Sequence, residues 1–145
     1  MLLDRTQIAE LIPHAGAMCL LDGVLRWDET SISCVSRRHR DPGNPLRRGD
    51  ALGAACGIEF AAQAMAVHSR LTAPAGDRPK AGFLVSLREV TCRARRLDQL
   101  AEELVLAAER LAGDERQALY RFAVTCGARD LMDGRATVLL GLLPP

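Results

Sequence analysis

The side chain best suited to chemistry is Glu59, a carboxylate in the middle of the apolar run AACGIEFAAQAMAV. A carboxyl group among apolar neighbours is costly unless it is paired or kept neutral. It suits a general acid that its surroundings hold protonated near neutral pH; a solvent-facing stripe or a dimer-contact pair is the structural alternative. Gln63 lies one helical turn further on the same face, in reach of Glu59 or of a bound substrate. The chain has three histidines. His39 sits in a Pro/Gly-rich loop ahead of the Glu59 segment and is the candidate base, acting on the same site as Glu59 or as its copy in a partner subunit. His14 follows Pro13 in a turn, where a backbone bond and a substrate contact are both open readings. His68 falls near a helix end, where a dipole contact accounts for it. Gly49, Asp50 and Gly53 precede the same helix, whose first N–H groups would hold a developing oxyanion, with Gly53 against the substrate. An oxyanion site with an acid one or two turns beyond it suits removal of a proton next to a carbonyl and expulsion of a β-hydroxyl.

These residues need elements to carry them. Asp4 followed by Ile8, Leu11 and Ile12 predicts a short helix capped by Asp4 and stopped before Pro13. Met18 to Trp27 and Thr30 to Arg37 read as two strands joined across Asp28-Glu29, and RRHRDPGNPLRRGD (37–50) as a loop. From Leu52 to about Leu71 apolar residues occupy every face of a helical wheel, which predicts a helix buried all round. Thr72 to Lys80 is a breaker-rich linker. Strands follow at Phe83 to Arg96, Glu103 to Leu111, Gln117 to Cys126 and Arg135 to Leu143. Residues 101–112 (AEELVLAAERLA) have the propensity of a helix, but their place in a meander of strands favours a strand. The sum is one α+β domain over residues 1–145, a sheet of about six strands wrapped around one long helix. One sheet cannot cover a helix on every side, so a dimer partner is expected.

Composition narrows the function. The 145 residues carry a net charge of +1 and only five aromatic side chains, which argues against nucleic-acid binding through a global field or a stacking platform. Five cysteines, an odd number without a C-x-x-C pair or a histidine at ligand spacing, support neither a disulfide framework nor a metal site, and point to a reducing compartment. The N-terminal residues show no secretory signal, and the apolar stretch Ala51 to Val67 holds Glu59 and Gln63, too polar for a membrane span; a cytoplasmic protein is expected. Arg37, Arg38, Arg40, Arg47 and Arg48, with Arg93, Arg95 and Arg96, gather beside the helix entrance, either as a solvated face or as a dock for an acidic or phosphate-bearing partner.

Two segments resemble a known family. IPHAGAMCLLDGVLRWD is similar to the N-terminal segment of the hotdog-fold 3-hydroxyacyl-(acyl carrier protein) dehydratases, and GIEFAAQAMAVH to their central helix, in which a catalytic acid is followed by A-x-A-Q or a close variant. With NPLRR, RLD (96–98), AERLAG and GRATV, the likeness is greatest to the dehydratase-like subfamily associated with aryl polyene and related lipid clusters. The resemblance implies a hotdog fold, a homodimer or heterodimer with a related subunit, and no cofactor of the protein's own. Its substrate would be a thioester on the phosphopantetheine arm of acyl carrier protein. A histidine would take the α-proton and an acid would protonate the departing hydroxyl. Glu59 matches the acid. Typical members carry the histidine of an H-F-P-x-x-P motif fourteen residues before the acid, where this chain has Pro45; His39 stands twenty residues before it and serves if RDPGNPLRR is an insertion that returns it to the site. Gly53 is nearest to the glycine of the family's P-G-x-L turn, and Arg47 and Arg48 are the residues expected to dock the carrier protein. The implied activity is dehydration to a trans-2-enoyl thioester; an accessory, non-catalytic subunit and a thioesterase are the other readings that such a fold allows.

Overall fold

Asp4 caps the first helix through a reciprocal box. Its carboxylate accepts the Gln7 N–H at 2.9 Å, and the Gln7 side chain accepts the Asp4 N–H at 2.9 Å, so α1 (Arg5–Ala9) starts where the sequence predicts. The structure is a computed structural model that describes residues 1–12, 16–73 and 82–140. His14, most of the expected linker and the last residues of the expected final strand lie outside the described residues.

Seven strands form one antiparallel sheet in the order β1 (Leu3–Asp4), β2 (Gly23–Trp27), β3 (Ser31–Ser36), β5 (Leu104–Gly113), β6 (Gln117–Cys126), β7 (Arg129–Leu140) and β4 (Gly82–Cys92). The seventh strand beyond the expected six is β1, a two-residue piece on β2. The turns are made by side chains that suit them. Asp28 accepts the N–H groups of Thr30 and Ser31 at 2.9 and 2.8 Å between β2 and β3, and Asp114 does the same for Arg116 and Gln117 between β5 and β6. Between β6 and β7 the backbone turns through Gly127 at φ 58°, which a side chain would oppose.

Residues 104–113 are a strand despite their helix propensity, because Leu104, Leu106 and Ala108 alternate into the core and both sides of β5 are hydrogen-bonded, to β3 and to β6. The long helix begins with a 3-10 turn at Ala54–Cys56 and continues as α2 (Gly57–Leu71), lying against β3 to β7. Its buried side is Phe60, Ala61, Gln63, Ala64, Met65, Val67 and His68, which meet the inward-facing Ala118, Tyr120, Phe122 and Val124 of β6 among others. The helix is therefore enclosed on one side only. Ile58, Glu59, Ala62, Ala66 and Ser69 form a half-buried stripe along the other. The reason is that a single sheet curves around one face of a helix and leaves the opposite one to something else.

Candidate active site

Glu59 stands in the first turn of α2 on that half-buried stripe. The surroundings enclose it less than the apolar sequence suggests, because the small residues beside it cover little of the carboxyl group. Cys56 lies one turn before it, and its thiol is pushed up by burial and secondarily by the charge of Glu59.

Gln63 does not bond to Glu59. Its side chain is fully buried, its Oε1 accepting the Leu20 N–H at 2.8 Å and its Nε2 donating to the Met18 carbonyl at 2.7 Å. The amide pins the segment before β2 to α2, a positioning task in place of the expected substrate contact. Leu20 is fully buried, so losing the partner would leave its N–H unsatisfied.

His39 lies on a 3-10 turn, Arg38–Arg40, that opens the 37–50 loop, and it is buried to 1% exposure. Its Nε2 donates to the Leu100 carbonyl at 3.0 Å, which assigns the ring proton to that nitrogen. Nδ1 is then the basic nitrogen, and it is buried with no hydrogen-bond partner. Burial pushes the imidazole down from its ordinary value, against the Leu100 and Glu102 carbonyls and with the help of Arg40 and Arg47, so the ring is neutral at pH 7. A neutral imidazole with a free lone pair is the form a general base requires.

The helix entrance is held by a side chain that sequence reasoning passed over. Asp98 accepts the Leu52 N–H at 2.9 Å and two bonds from Arg96, at 3.0 Å from Nε and 2.6 Å from Nη2, and these hold its carboxyl well below the usual carboxylate range. Leu97 N–H bonds to the Leu52 carbonyl at 2.8 Å, and the Ala54 N–H to the Arg95 carbonyl at 3.0 Å. Residues 95–98 thus anchor the entrance of α2, and Leu100, two residues on, anchors His39. One segment, residues 95–100, thus holds both the entrance of α2 and the His39 ring. The motif RLD was visible, but nothing in its spacing told that Asp98 reaches a backbone donor 46 positions earlier.

The same contacts occupy two of the N–H groups at the expected oxyanion site. The Ala54 N–H is taken by the Arg95 carbonyl, and the Cys56 N–H by the Gly53 carbonyl at 3.0 Å within the 3-10 turn that precedes the helix. Gly53 remains exposed, with nothing within 4 Å of the position of a β-carbon. Arg47 is likewise occupied: its guanidinium donates to the His39 carbonyl at 3.2 Å and to the Asp50 carbonyl at 3.1 Å, stapling the loop. Arg48 is exposed.

These features decide what the chain is when set beside known proteins. The family described as ApeP dehydratase (ApeP-like) matches residues 6–141. The chain belongs to the ApeP-like dehydratase family. Among solved structures it is similar to the dehydratase heterocomplex ApeI:P from Xenorhabdus doucetiae, at 25% identity and a TM-score of 0.82 over 91% of this chain and 89% of that one. Two thioesterases are similar in fold alone: HI1161 from Haemophilus influenzae, at 11% identity and TM-score 0.65 over 100% of this chain and 98% of that one, and a mutant of PA1618 from Pseudomonas aeruginosa, at 10% and 0.59 over 83% and 81%. No curated protein gave a significant match. The ApeP-like chain has the hotdog fold, the sheet and long helix expected from the resemblance. No helix among the described residues is long and apolar enough to cross a membrane.

In this ApeP-like chain His68 is not the dipole partner expected. It is fully buried, its Nε2 donating to the Asp28 carbonyl at 2.9 Å and its Nδ1 accepting from the Tyr120 hydroxyl at 2.8 Å, while Tyr120 and Ser69 meet at 2.9 Å. Burial pushes His68 down. His39 and His68 both sit below the ordinary histidine value of 6.5, so the unfolded chain binds the extra protons first. Stability is then full above that value and falls as the pH drops below it. Denaturation in urea at about pH 8 and about pH 5 should show this decline, and a double His39→Gln, His68→Gln variant should show a shallower one. A pH-independent midpoint for the parent protein would contradict the assignment.

Proposed function

We propose that this chain removes water from 3-hydroxyacyl thioesters presented by acyl carrier protein, giving trans-2-enoyl thioesters, as one subunit of a dimer with a related hotdog protein. The observation that supports the reading is the state of His39: neutral, buried, and left with an unpartnered Nδ1, on a turn that the same segment holds as the entrance of the helix bearing Glu59. Nδ1 takes the proton on C2, and the electron pair left behind forms the C2–C3 double bond as the C3–O bond breaks. The carboxyl group of Glu59 gives its proton to the departing oxygen, which leaves as water. The proton on Nδ1 then returns to the Glu59 carboxylate through solvent, restoring both groups. Gly53, open on its α-carbon side, leaves room for the thioester beside the helix entrance.

The partner is supported by two uncovered surfaces. The half-buried stripe of α2 carries Glu59, and β4 is an eleven-residue edge strand bonded on one side only, with Val85 53% exposed. A second sheet continued from β4 would bring the partner's elements over the stripe, and the ApeI:P relative is itself a heterocomplex. Arg48, with the exposed Arg40 and Arg95, gives a basic rim for the acidic surface of a carrier protein. The fold likeness to thioesterases supplies the competing reading, which the products distinguish. With a 3-hydroxyacyl thioester of carrier protein, the chain and its related subunit should release an enoyl thioester with no free thiol. Free thiol without an enoyl product would establish hydrolysis instead, and equal turnover by the related subunit alone would make this chain an accessory.

A further inference from the structure

The sheet face turned away from α2 carries charges that dehydration does not use. Strand register sets Glu109 of β5 opposite Arg121 of β6, Arg121 opposite Arg135 of β7, and Arg135 opposite Arg88 of β4. Arg121 lies between the inward-facing Tyr120 and Phe122, so this row points outward. Directly opposed side chains on one face are about 5 Å apart at their β-carbons, and like charges there weaken the sheet. Two of the three steps in the row are cation against cation.

The described carboxylates compensate this only in part. Glu109 reaches Arg121 at 3.5 Å, and Glu89 reaches the Nε of Arg135 at 3.5 Å, both pairs well exposed. No ion pair to Arg88 occurs among the described residues. Glu89 also has the backbone of an unusual residue, at φ 55° within the bulge between Arg88 and Thr91. A non-glycine side chain held there is strained, and bulges re-aim the side chains beside them. Here the strained residue is the one whose carboxylate leans on Arg135.

Arg88 and Arg135 line a cleft of about 370 Å³. Ser86 and Thr137, opposite one another on β4 and β7, and Gln117 at the start of β6 complete its polar lining. The cleft therefore offers two guanidinium groups, two hydroxyls and a carboxamide, and its volume is that of a small-ligand site. Guanidinium forks match the oxygens of a phosphate and bind it bidentately. We propose that this cleft binds a small phosphate-bearing ligand, with Glu89 as the internal counter-ion that the ligand displaces from Arg135. The site is on the opposite face of the sheet from Glu59 and His39, and stands independently of the dehydratase reading.

The test is a titration with inorganic pyrophosphate at constant ionic strength, followed by the arginine Nε–H resonances and by thermal stability. Arg88→Ala combined with Arg135→Ala should weaken pyrophosphate binding about tenfold or more, and Glu89→Gln should tighten it. Without pyrophosphate, Arg88→Ala should unfold at a higher temperature than the parent in low salt, because the opposed charge is gone; this also shows that the variant folds. Unchanged affinity in the double variant, looser binding in Glu89→Gln, or a pyrophosphate effect that sodium chloride of equal ionic strength reproduces would overturn the proposal. No gain in low-salt stability for Arg88→Ala would remove the like-charge premise on which it stands.

Discussion

Glu59→Gln is expected to lower the dehydration rate by about a hundredfold to ten-thousandfold, the range that a positioned proton donor contributes, while leaving the fold unchanged. The amide has nearly the shape of the carboxyl group and no proton to give to the departing hydroxyl. Glu59 makes no hydrogen bond or ion pair among the described residues and is half-buried, so the substitution removes no packing contact and leaves no donor unsatisfied. The fall should appear in kcat with KM little altered, since proton donation belongs to the transition state. A variant with near-parental turnover would end the assignment of Glu59 as the acid. A large loss of thermal stability would show instead that the carboxylate is a structural group.

The second large effect is expected at His39. In His39→Gln the side-chain amide can still donate to the Leu100 carbonyl, the one bond the His39 ring makes, but it offers no basic nitrogen where Nδ1 stood. Dehydration should fall by a similar factor, about a hundredfold or more. A merely structural histidine would not move the pH profile, and this provides the sharper readout. Because burial holds the imidazole below its ordinary value of 6.5, the parent enzyme should stay fully active as the pH falls to that value and lose activity only below it. That acid limb should be missing from the residual activity of the variant. An unchanged limb would mean that another group takes the proton from C2.

These two residues show how far the sequence carried and where it stopped. The place of Glu59 on the long helix was legible because a lone carboxylate in an alanine-rich run breaks its own hydrophobic pattern. The strands after residue 104 were legible because alternation and Asp- or Gly-based turns are local signals, strong enough in β5 to override helix propensity. Gln63 was misread: its turn-apart spacing from Glu59 was correct, yet its partners come from Met18 and Leu20, more than forty positions away. Asp98 was missed for the same reason. The apolar wheel of the long helix led to the expectation of cover beyond what one sheet supplies, and within the chain one side of α2 is enclosed while the stripe of Ile58, Glu59, Ala62, Ala66 and Ser69 stays half-buried. The 3-10 turn ahead of α2, which takes the Cys56 N–H, differs from an α-helical start by a few tens of degrees in the backbone and leaves no mark in composition.

Strand β4 departs from regular pairing in two places, between Leu84 and Ser86 and between Arg88 and Thr91. Exposed edges invite indiscriminate addition of other chains, and irregular backbone with interspersed charge is a known defence. On β4 the two irregularities flank Leu87, 39% exposed, and the second falls at the charged pair Arg88 and Glu89. An arbitrary extended segment would meet the edge out of phase within a few residues, with its hydrogen-bonding groups facing gaps. Only a strand with complementary interruptions can stay in step along the full length. The interrupted, charged edge of β4 thus works against indiscriminate strand addition through its backbone, before any side chain is compared.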